Sequence, residues 1–285
     1  MSPCFSGIAL RSALLLCASM WIGISQAAET VESNPEYKST GNVSLVSNYI
    51  WRGLTQTFDK PALQAGGEFE HRSGFYLGAW ASNVSEKWVP GSNLETDIYA
   101  GYRAGMEDIN ADLGLVYVYY PGGNYSKALG GNVFTPSSPN TAEVSLGLSY
   151  KALSVKYGRT LTSFYGWAVN NSAPGVFSSV DSSAGVYGST RGSQYGEVSL
   201  KQELDDGWGV SGIAGHQWIA NSVNLDWSYF RLGVSKTIPG GWGAGLFYSW
   251  TSNPAAFQSY GSLTGNGQTA NVAAPKIFLS ATRDF

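Results

Sequence analysis

The chain has little of what enzymes and metal sites draw on. Its only cysteines are Cys4 and Cys17, and its only histidines are His71 and His216. Both cysteines lie in an N-terminal segment that we expect to be removed, so the mature chain can form no disulfide and no thiolate site. Two histidines far apart in sequence do not make a coordination shell. We therefore expect no cofactor, no metal ion and no catalytic residues.

Charge and long apolar runs are also scarce. Charged residues make up 13% of the sequence, about half of the share of roughly 25% in globular proteins. The net charge of -3 gives no reason to expect nucleic acid as a partner. After Ile24 no apolar run approaches the roughly 18 residues of a membrane-spanning helix.

The first 27 residues predict a signal peptide. Arg11 precedes an apolar run, Ser12 to Ile24, that is too short for a spanning helix. Small residues follow in Ser25-Gln26-Ala27, so we expect cleavage after Ala27. The pattern is that of a secreted protein of a Gram-negative bacterium, with residues 28–285 forming one domain.

What the chain has in abundance is aromatic residues, 14%, and glycine, 36 residues. Segments of about nine residues alternate apolar and polar positions, as in Ala142 to Tyr150, and we count about twelve of them. The segments between them alternate between tight turns, such as Asp205-Asp206-Gly207, and long loops, such as residues 164–193. This rhythm predicts a closed antiparallel up-and-down transmembrane β-barrel with both termini in the periplasm.

Aromatic residues at the strand ends predict two belts at the membrane interfaces. One belt contains Tyr102, Tyr150, Trp208 and Trp242 at the turn ends. The other contains Tyr49, Trp51, Tyr119, Trp218 and Trp250 at the loop ends. The terminal Phe285 closes the last strand, as is usual for barrels that an outer-membrane assembly machinery inserts.

Several motifs resemble the TorF family of bacterial porins. They include residues 47–57, residues 73–84, Glu95 to Tyr102 and Tyr117 to Gly122. The resemblance implies an outer-membrane location and a porin role, and it supplies no solute.

Strand alternation places a set of ionisable residues inside the barrel, where charges face water or each other. We predict these as pore-lining: Arg52, Glu68, Glu95, Asp97, Arg103, Asp112, Glu143, Lys156, Glu197, Lys201 and Arg231. The first-half carboxylates should share one wall, opposite Lys156, Lys201 and Arg231; they are Glu68, Glu95, Asp97, Asp112 and Glu143. The alternative is a salt-bridged plug that fills the barrel. Arg52 is either a constriction residue or the partner of a neighbouring carboxylate such as Glu68 or Glu70.

The predicted function is passive diffusion of small polar solutes or ions, with outer-membrane lipid as the surroundings. The alternative is a non-conducting structural or adhesion barrel that binds through its loops near 121–140 and 164–193. His71-Arg72-Ser73 superficially offers a Ser-His pair, but it lies in a tight turn and has no third group to orient it. We therefore expect no enzymatic activity.

Overall fold

A computed structural model describes residues 36–129, 134, 137–264 and 267–285. The predicted signal peptide lies outside the described residues. Twelve strands close into one barrel. They are β1 (Tyr37–Val46), β2 (Ala62–His71), β3 (Phe75–Asn83), β4 (Leu94–Met106), β5 (Ile109–Tyr119), β6 (Thr141–Tyr150), β7 (Leu153–Thr160), β8 (Gln194–Glu203), β9 (Trp208–Trp218), β10 (Trp227–Ile238), β11 (Trp242–Thr251) and β12 (Lys276–Asp284).

Every barrel strand pairs antiparallel with the strands before and after it in the chain. The barrel closes between β1 and β12, where Val43 is the register partner of Arg283 and Leu45 is that of Ala281. Closure leaves no sheet edge, which is the condition for a sheet to cross a membrane. The predicted closed, all-β, up-and-down barrel of about twelve strands is confirmed.

The two ends of the barrel differ in their connections. Short turns occupy 72–74, 107–108, 151–152, 204–207 and 239–241, and we call this the short-turn end. Long loops occupy 47–61, 84–93, 120–140, 161–193, 219–226 and 252–275 at the long-loop end. The predicted alternation is confirmed, and β1 begins and β12 ends at the short-turn end.

The remaining elements are short. Three two-stranded ribbons pair Ile50–Trp51 with Leu54–Thr55, Gly185–Val186 with Ser222–Val223, and Tyr260–Gly261 with Thr269–Ala270. Helical turns occupy Tyr125–Lys127, Phe164–Gly166, Val169–Ser172, Asp205–Gly207 and Ala255–Phe257. Over the described ranges, no helix has both the length and the apolar character needed to span a membrane.

The outer surface of the barrel is apolar. Leu45, Leu63 and Phe69 are each more than half exposed, and the outward positions of the other strands repeat this pattern. Trp208 and Trp242 project outward at the short-turn end. So large an exposed apolar surface would be unfavourable in water, whereas lipid accommodates it. This is therefore the surface of a transmembrane barrel.

Two residues of the aromatic belt predicted at the loop ends do not lie at the membrane interface. The first strand ends at Val46 and does not continue to Arg52, and Tyr49 and Trp51 are buried inside the molecule. The alternation of apolar residues continues past Val46 in the sequence, but the chain turns inward there. The prediction that Tyr49 and Trp51 face lipid is wrong.

Inward aromatic rings lie flat against the barrel wall. The ring of Tyr195 on β8 occupies the space that a Cβ atom would need at Gly158 on β7. The ring of Tyr229 on β10 does the same at Gly215 on β9. Glycine at these positions lets a large ring pack on the strand beside it. The rings therefore cover the wall and take up less of the lumen.

Candidate functional site: the barrel interior

The structure places all eleven predicted pore-lining residues inside the barrel, ten of them on strands and Arg52 on the first long loop. The carboxylates Glu68, Glu95, Asp97, Asp112 and Glu143 are buried and belong to β2, β4, β5 and β6. Lys156, Lys201 and Arg231 belong to β7, β8 and β10 on the remaining wall. We call these the acidic wall and the basic wall, although Arg103 lies on the first and Glu197 on the second.

The first long loop folds back into the barrel as a hairpin, residues 50–55, which we call the first-loop hairpin. Arg52 and Gly53 form its tip with φ angles of 44° and 83°. Positive φ at both central residues is the geometry of a tight type I′ hairpin turn, which favours glycine at the second position. A side chain at Gly53 would collide with Thr251 and Tyr229. The tip therefore reaches across the lumen to the wall formed by β10 and β11.

Arg52 fixes the tip of this hairpin to the wall. Its guanidinium donates to both carboxylate oxygens of Glu143, at 3.3 and 3.0 Å, and to Oε1 of Gln217 at 2.6 Å. It also stacks on the ring of Tyr195, with 3.6 Å from Cζ to the ring centroid. The indole of Trp227 donates to the carbonyl of Arg52 at 2.7 Å.

The bidentate pair with Glu143 stabilises the charged form of Arg52, whose guanidinium stays protonated in proteins. Burial by itself lowers the pKa of a guanidinium, but the carboxylate of Glu143 and nearby tyrosines raise it, and the net direction for the pKa of Arg52 is upward. The hairpin tip therefore carries a permanent positive charge. Arg52 does pair with a carboxylate, but the expected partners Glu68 and Glu70 are wrong.

Glu143 belongs to a group of three buried carboxylates, Glu95, Asp97 and Glu143, which we call the acidic cluster. Tyrosine side chains border this cluster. Tyr49 donates to Oε1 of Glu95 at 2.7 Å, and Tyr120 donates to its other oxygen. Glu95 and Asp97 lie two positions apart on the inward face of β4, and Glu143 lies on β6. The acidic cluster faces the lumen near the long-loop end, directly below the first-loop hairpin.

Arg103 organises a separate network near the short-turn end. It contacts Glu68, Glu70 at 3.1 Å and Asp112 at 2.9 Å, and its guanidinium lies over the ring of Tyr76. Tyr76 in turn donates to Asp112 at 2.9 Å. These residues come from β2, β3, β4 and β5, which are adjacent in the sheet, so this network joins neighbours within one wall.

The basic wall has its own partners. Lys156 and Glu197 are register partners on β7 and β8. Tyr229 on β10 donates to Glu197 at 3.1 Å. The interior thus contains charges of both signs along its walls, around a lumen that the hairpin narrows at one end.

The long loops close over the hairpin in an aromatic roof. Trp227, Leu225, Phe257 and Val272 have no exposed surface, although none of them lies in the middle of a strand. Rings of Trp51, Phe164, Trp167, Trp227 and Phe257 contact one another edge to face or tilted. A small cavity remains between this roof and the hairpin, lined in part by Trp51, Trp88 and Tyr165.

The two histidines lie apart from the acidic cluster. Within the described part of the chain, no group of three or more histidine, cysteine, aspartate or glutamate residues could hold a metal ion. His71 contacts Ser73 at 2.6 Å in the exposed turn after β2, and His216 contacts Ser228.

Sequence reasoning missed both the inserted hairpin and the roof. The long loops contain many aromatic residues, among them Phe164-Tyr165-Gly166-Trp167, Phe177 and Phe257. Aromatic residues away from the strand ends are a signal that the loops pack on one another. The polar partners of the hairpin, Gln217 and Tyr195, have no sequence signal because their role depends on a residue far away in the chain.

The fold and the interior define a transmembrane β-barrel with a charged lumen and a first loop folded inside it. Residues 30–285 match the sequence family described as bacterial protein of unknown function (Gcw_chp), and the chain belongs to that family. No curated protein matches the sequence.

Solved structures similar in shape include two porins. The KdgM porin is 8% identical over 86% of this chain and 99% of its own, with a TM-score of 0.47. The NanC porin in its rhombohedral crystal form is 6% identical over 85% of this chain and 98% of its own, with a TM-score of 0.49. Another solved structure is titled KdgM porin in complex with disordered oligogalacturonate, at 8% identity and a TM-score of 0.48.

Proposed function

We propose that the protein is an outer-membrane porin through which small polar solutes or ions diffuse passively. The observation that carries the proposal is a closed barrel with an apolar exterior and an interior that holds charges of both signs. Water-filled interiors tolerate such charges, whereas a dry core does not. The resemblance to the TorF porins is consistent with this role.

In this proposal the first-loop hairpin is the constriction. It crosses the lumen, and Arg52 at its tip binds Glu143 and Gln217 on the opposite wall. Solutes pass beside the hairpin or after it moves, and opposed charges on the two walls influence which ions enter. The long-loop end faces the outside of the cell, both termini are periplasmic, the signal peptide is removed, and β12 with its terminal Phe285 is the segment that the assembly machinery recognises. The barrel itself catalyses no reaction.

One observation favours a second function. The aromatic roof closes the long-loop end with completely buried side chains, among them Trp227 and Phe257. A permanently closed roof suits a structural or adhesion barrel that acts through its loops.

Conductance of the purified, refolded protein in planar bilayers separates the two functions. The matched variant replaces residues 50–55 by Gly-Gly. The amide of Gln56 donates to the carbonyl of Tyr49 at 2.8 Å, so the two ends of the excised segment are already neighbours. We expect discrete channels from the wild type and a larger single-channel conductance from the variant. If neither protein conducts, the passage of solutes is disproved and the structural or adhesion role is supported.

A further inference from the structure

One carboxylate oxygen in the acidic cluster, Oδ1 of Asp97, has no hydrogen-bond partner among the described residues. Asp97 is 2% exposed, and its Oδ1 is buried without a hydrogen-bond partner. Its register partner on β3 is Trp80, whose Nε1 is buried and also has none. An ionised carboxylate removed from water is strongly unfavourable unless a positive charge or hydrogen-bond donors compensate it. The wall therefore presents an unsatisfied acceptor under the first-loop hairpin.

The charges around Asp97 do not balance. Glu95 precedes it by two positions on the same face of β4, and the buried Glu143 lies on β6. Glu143 is paired with Arg52, whereas Glu95 accepts hydrogen bonds from the uncharged hydroxyl groups of Tyr49 and Tyr120. Two carboxylates near one another thus have no described cation beside them, which favours binding of a positively charged group.

The surroundings suit an organic cation better than a metal ion. Aromatic rings border the acidic cluster, with Tyr49 at 5.5 Å from Trp80 and Tyr120 at 6.4 Å from Tyr165 between ring centroids. Ring faces attract cations that are only partly hydrated. Over the described residues, no set of carboxylates converges closely enough to hold a metal ion. An ammonium group brings both N–H donors for Asp97 and a charge that the rings can share.

We propose that Asp97 is the centre of a binding site for a small primary ammonium ion on the permeation path. The proposal rests on the porin function and deepens it by naming a solute class. Oδ1 of Asp97 accepts an N–H bond from the ion, and Glu95 contributes the second negative charge. Tyr49 lies on the first long loop and covers Glu95, so the site opens when that loop moves.

The binding test does not depend on conduction. Thermal unfolding of the full barrel in detergent is followed by the change in gel mobility, with methylammonium chloride as the probe. Tetraethylammonium chloride, which has no N–H group, is added at the same ionic strength as a comparison. We expect methylammonium to raise the midpoint of wild type by a few degrees and to saturate, as a ligand that binds the folded state does. The Asp97→Asn variant should lose this shift.

The matched control is Asp181→Asn, the same substitution on an exposed loop, where the carboxylate accepts from Ser183. This control should keep the methylammonium shift. Equal shifts in wild type and Asp97→Asn would overturn the proposal, as would the absence of any shift in wild type, since Asp97 would then be a protonated carboxyl group that binds nothing.

Reversal potentials in a methylammonium chloride gradient supply the second measurement. The proposal expects a several-fold lower ratio of methylammonium to chloride permeability for Asp97→Asn than for wild type. Unchanged selectivity would remove the site from the permeation path. A wild type that shows the thermal shift but conducts no current would leave the ammonium site in place and disprove the porin function, so the two failures are distinguishable.

Discussion

The two halves of the lumen are stabilised in different ways. Near the short turns, Arg103 connects carboxylates on strands that are adjacent in the sheet. Near the long loops, Arg52 connects the first-loop hairpin with Glu143 on β6 and Gln217 on β9, which are not neighbours of that loop in the sheet. The first network reinforces a wall that the backbone already holds together. The second holds a loop segment across the lumen, where no described barrel strand pairs with it.

We therefore expect the Arg103 network to contribute to the stability of the barrel and the Arg52 contacts to control the opening of the lumen. Hydrogen bonds between strands fix the wall whether or not its side chains are paired, and a side-chain network within it adds rigidity. The hairpin is held by the contacts of Arg52 with Glu143 and Tyr195 and by the packing of Trp51 under the aromatic roof. We expect that it can be released without unfolding the barrel, because local opening costs less than global unfolding. Substitution of the two arginines should therefore have different consequences.

The largest expected effect on stability comes from Arg103→Ala. It leaves Glu68, Glu70 and Asp112 close together without their shared cation. Removing one partner of a buried ion pair lowers the free energy of unfolding by about 3 kcal/mol. Glu70 is partly exposed, so water can solvate the remaining carboxylates and reduce this loss. The free energy of unfolding in urea, measured in lipid vesicles, should fall by roughly 2 kcal/mol while single-channel conductance changes little.

Arg191→Ala on an exposed loop is the control for this measurement. Its free energy of unfolding should equal that of wild type. A variant Arg103→Ala as stable as this control would show that the network near the short turns contributes nothing to the wall.

Arg52→Ala should have a smaller effect on stability and a larger one on conductance. The hairpin can withdraw once the guanidinium is gone, and water can then reach Glu143, so we expect a loss of about 1 kcal/mol. Single-channel recordings should show a higher mean conductance and more frequent switching between levels. Arg52→Lys keeps the charge but cannot bind Glu143 and Gln217 in the same forked geometry, so it should lie between wild type and Arg52→Ala.

Conductance and switching that are the same in Arg52→Ala as in wild type would show that the hairpin is held by the aromatic roof. In that case Trp51 and its contacts with Tyr165 and Trp227 hold the hairpin in place.

The sequence predicts the wall far better than the contents of the lumen. In a barrel, lipid and lumen impose period-two alternation on every strand, so local pattern was enough for the strand count, the short turns and the inward positions of residues such as Glu95 and Lys156. The same pattern misled at Tyr49 and Trp51, because their parity continues that of Leu45. The turn at Arg52-Gly53 was the local signal that the chain reverses there.

The partners inside the lumen were not predictable from local pattern. Arg52 and Glu143 are 91 positions apart, and Arg52 and Gln217 are 165 apart. Which inward residues meet depends on how far a loop reaches across the barrel, a property of three-dimensional packing. The neighbours of Arg103 were closer to prediction, since register alone places Asp112 opposite it.

The two ends of the barrel should also differ in which of them faces the outside of the cell. Single cysteine substitutions can test this with little effect on stability. Single cysteines at Ser126 and Ser183 lie in exposed positions of long loops, and those at Asp108 and Asp206 lie in exposed short turns. The mature chain has no cysteine of its own if cleavage follows Ala27, so each label reports one site. None of the four side chains is buried, and we expect stability to change by less than about 0.5 kcal/mol in each variant.

Labelling of intact cells with a membrane-impermeant maleimide should mark Ser126→Cys and Ser183→Cys and should leave Asp108→Cys and Asp206→Cys unmarked. Permeabilised cells supply the control, because all four cysteines should react there. Long loops are external in outer-membrane barrels and short turns are periplasmic. The opposite pattern would place the aromatic roof and the first-loop hairpin on the periplasmic side, so that solutes entering from outside would meet the Arg103 network before the acidic cluster.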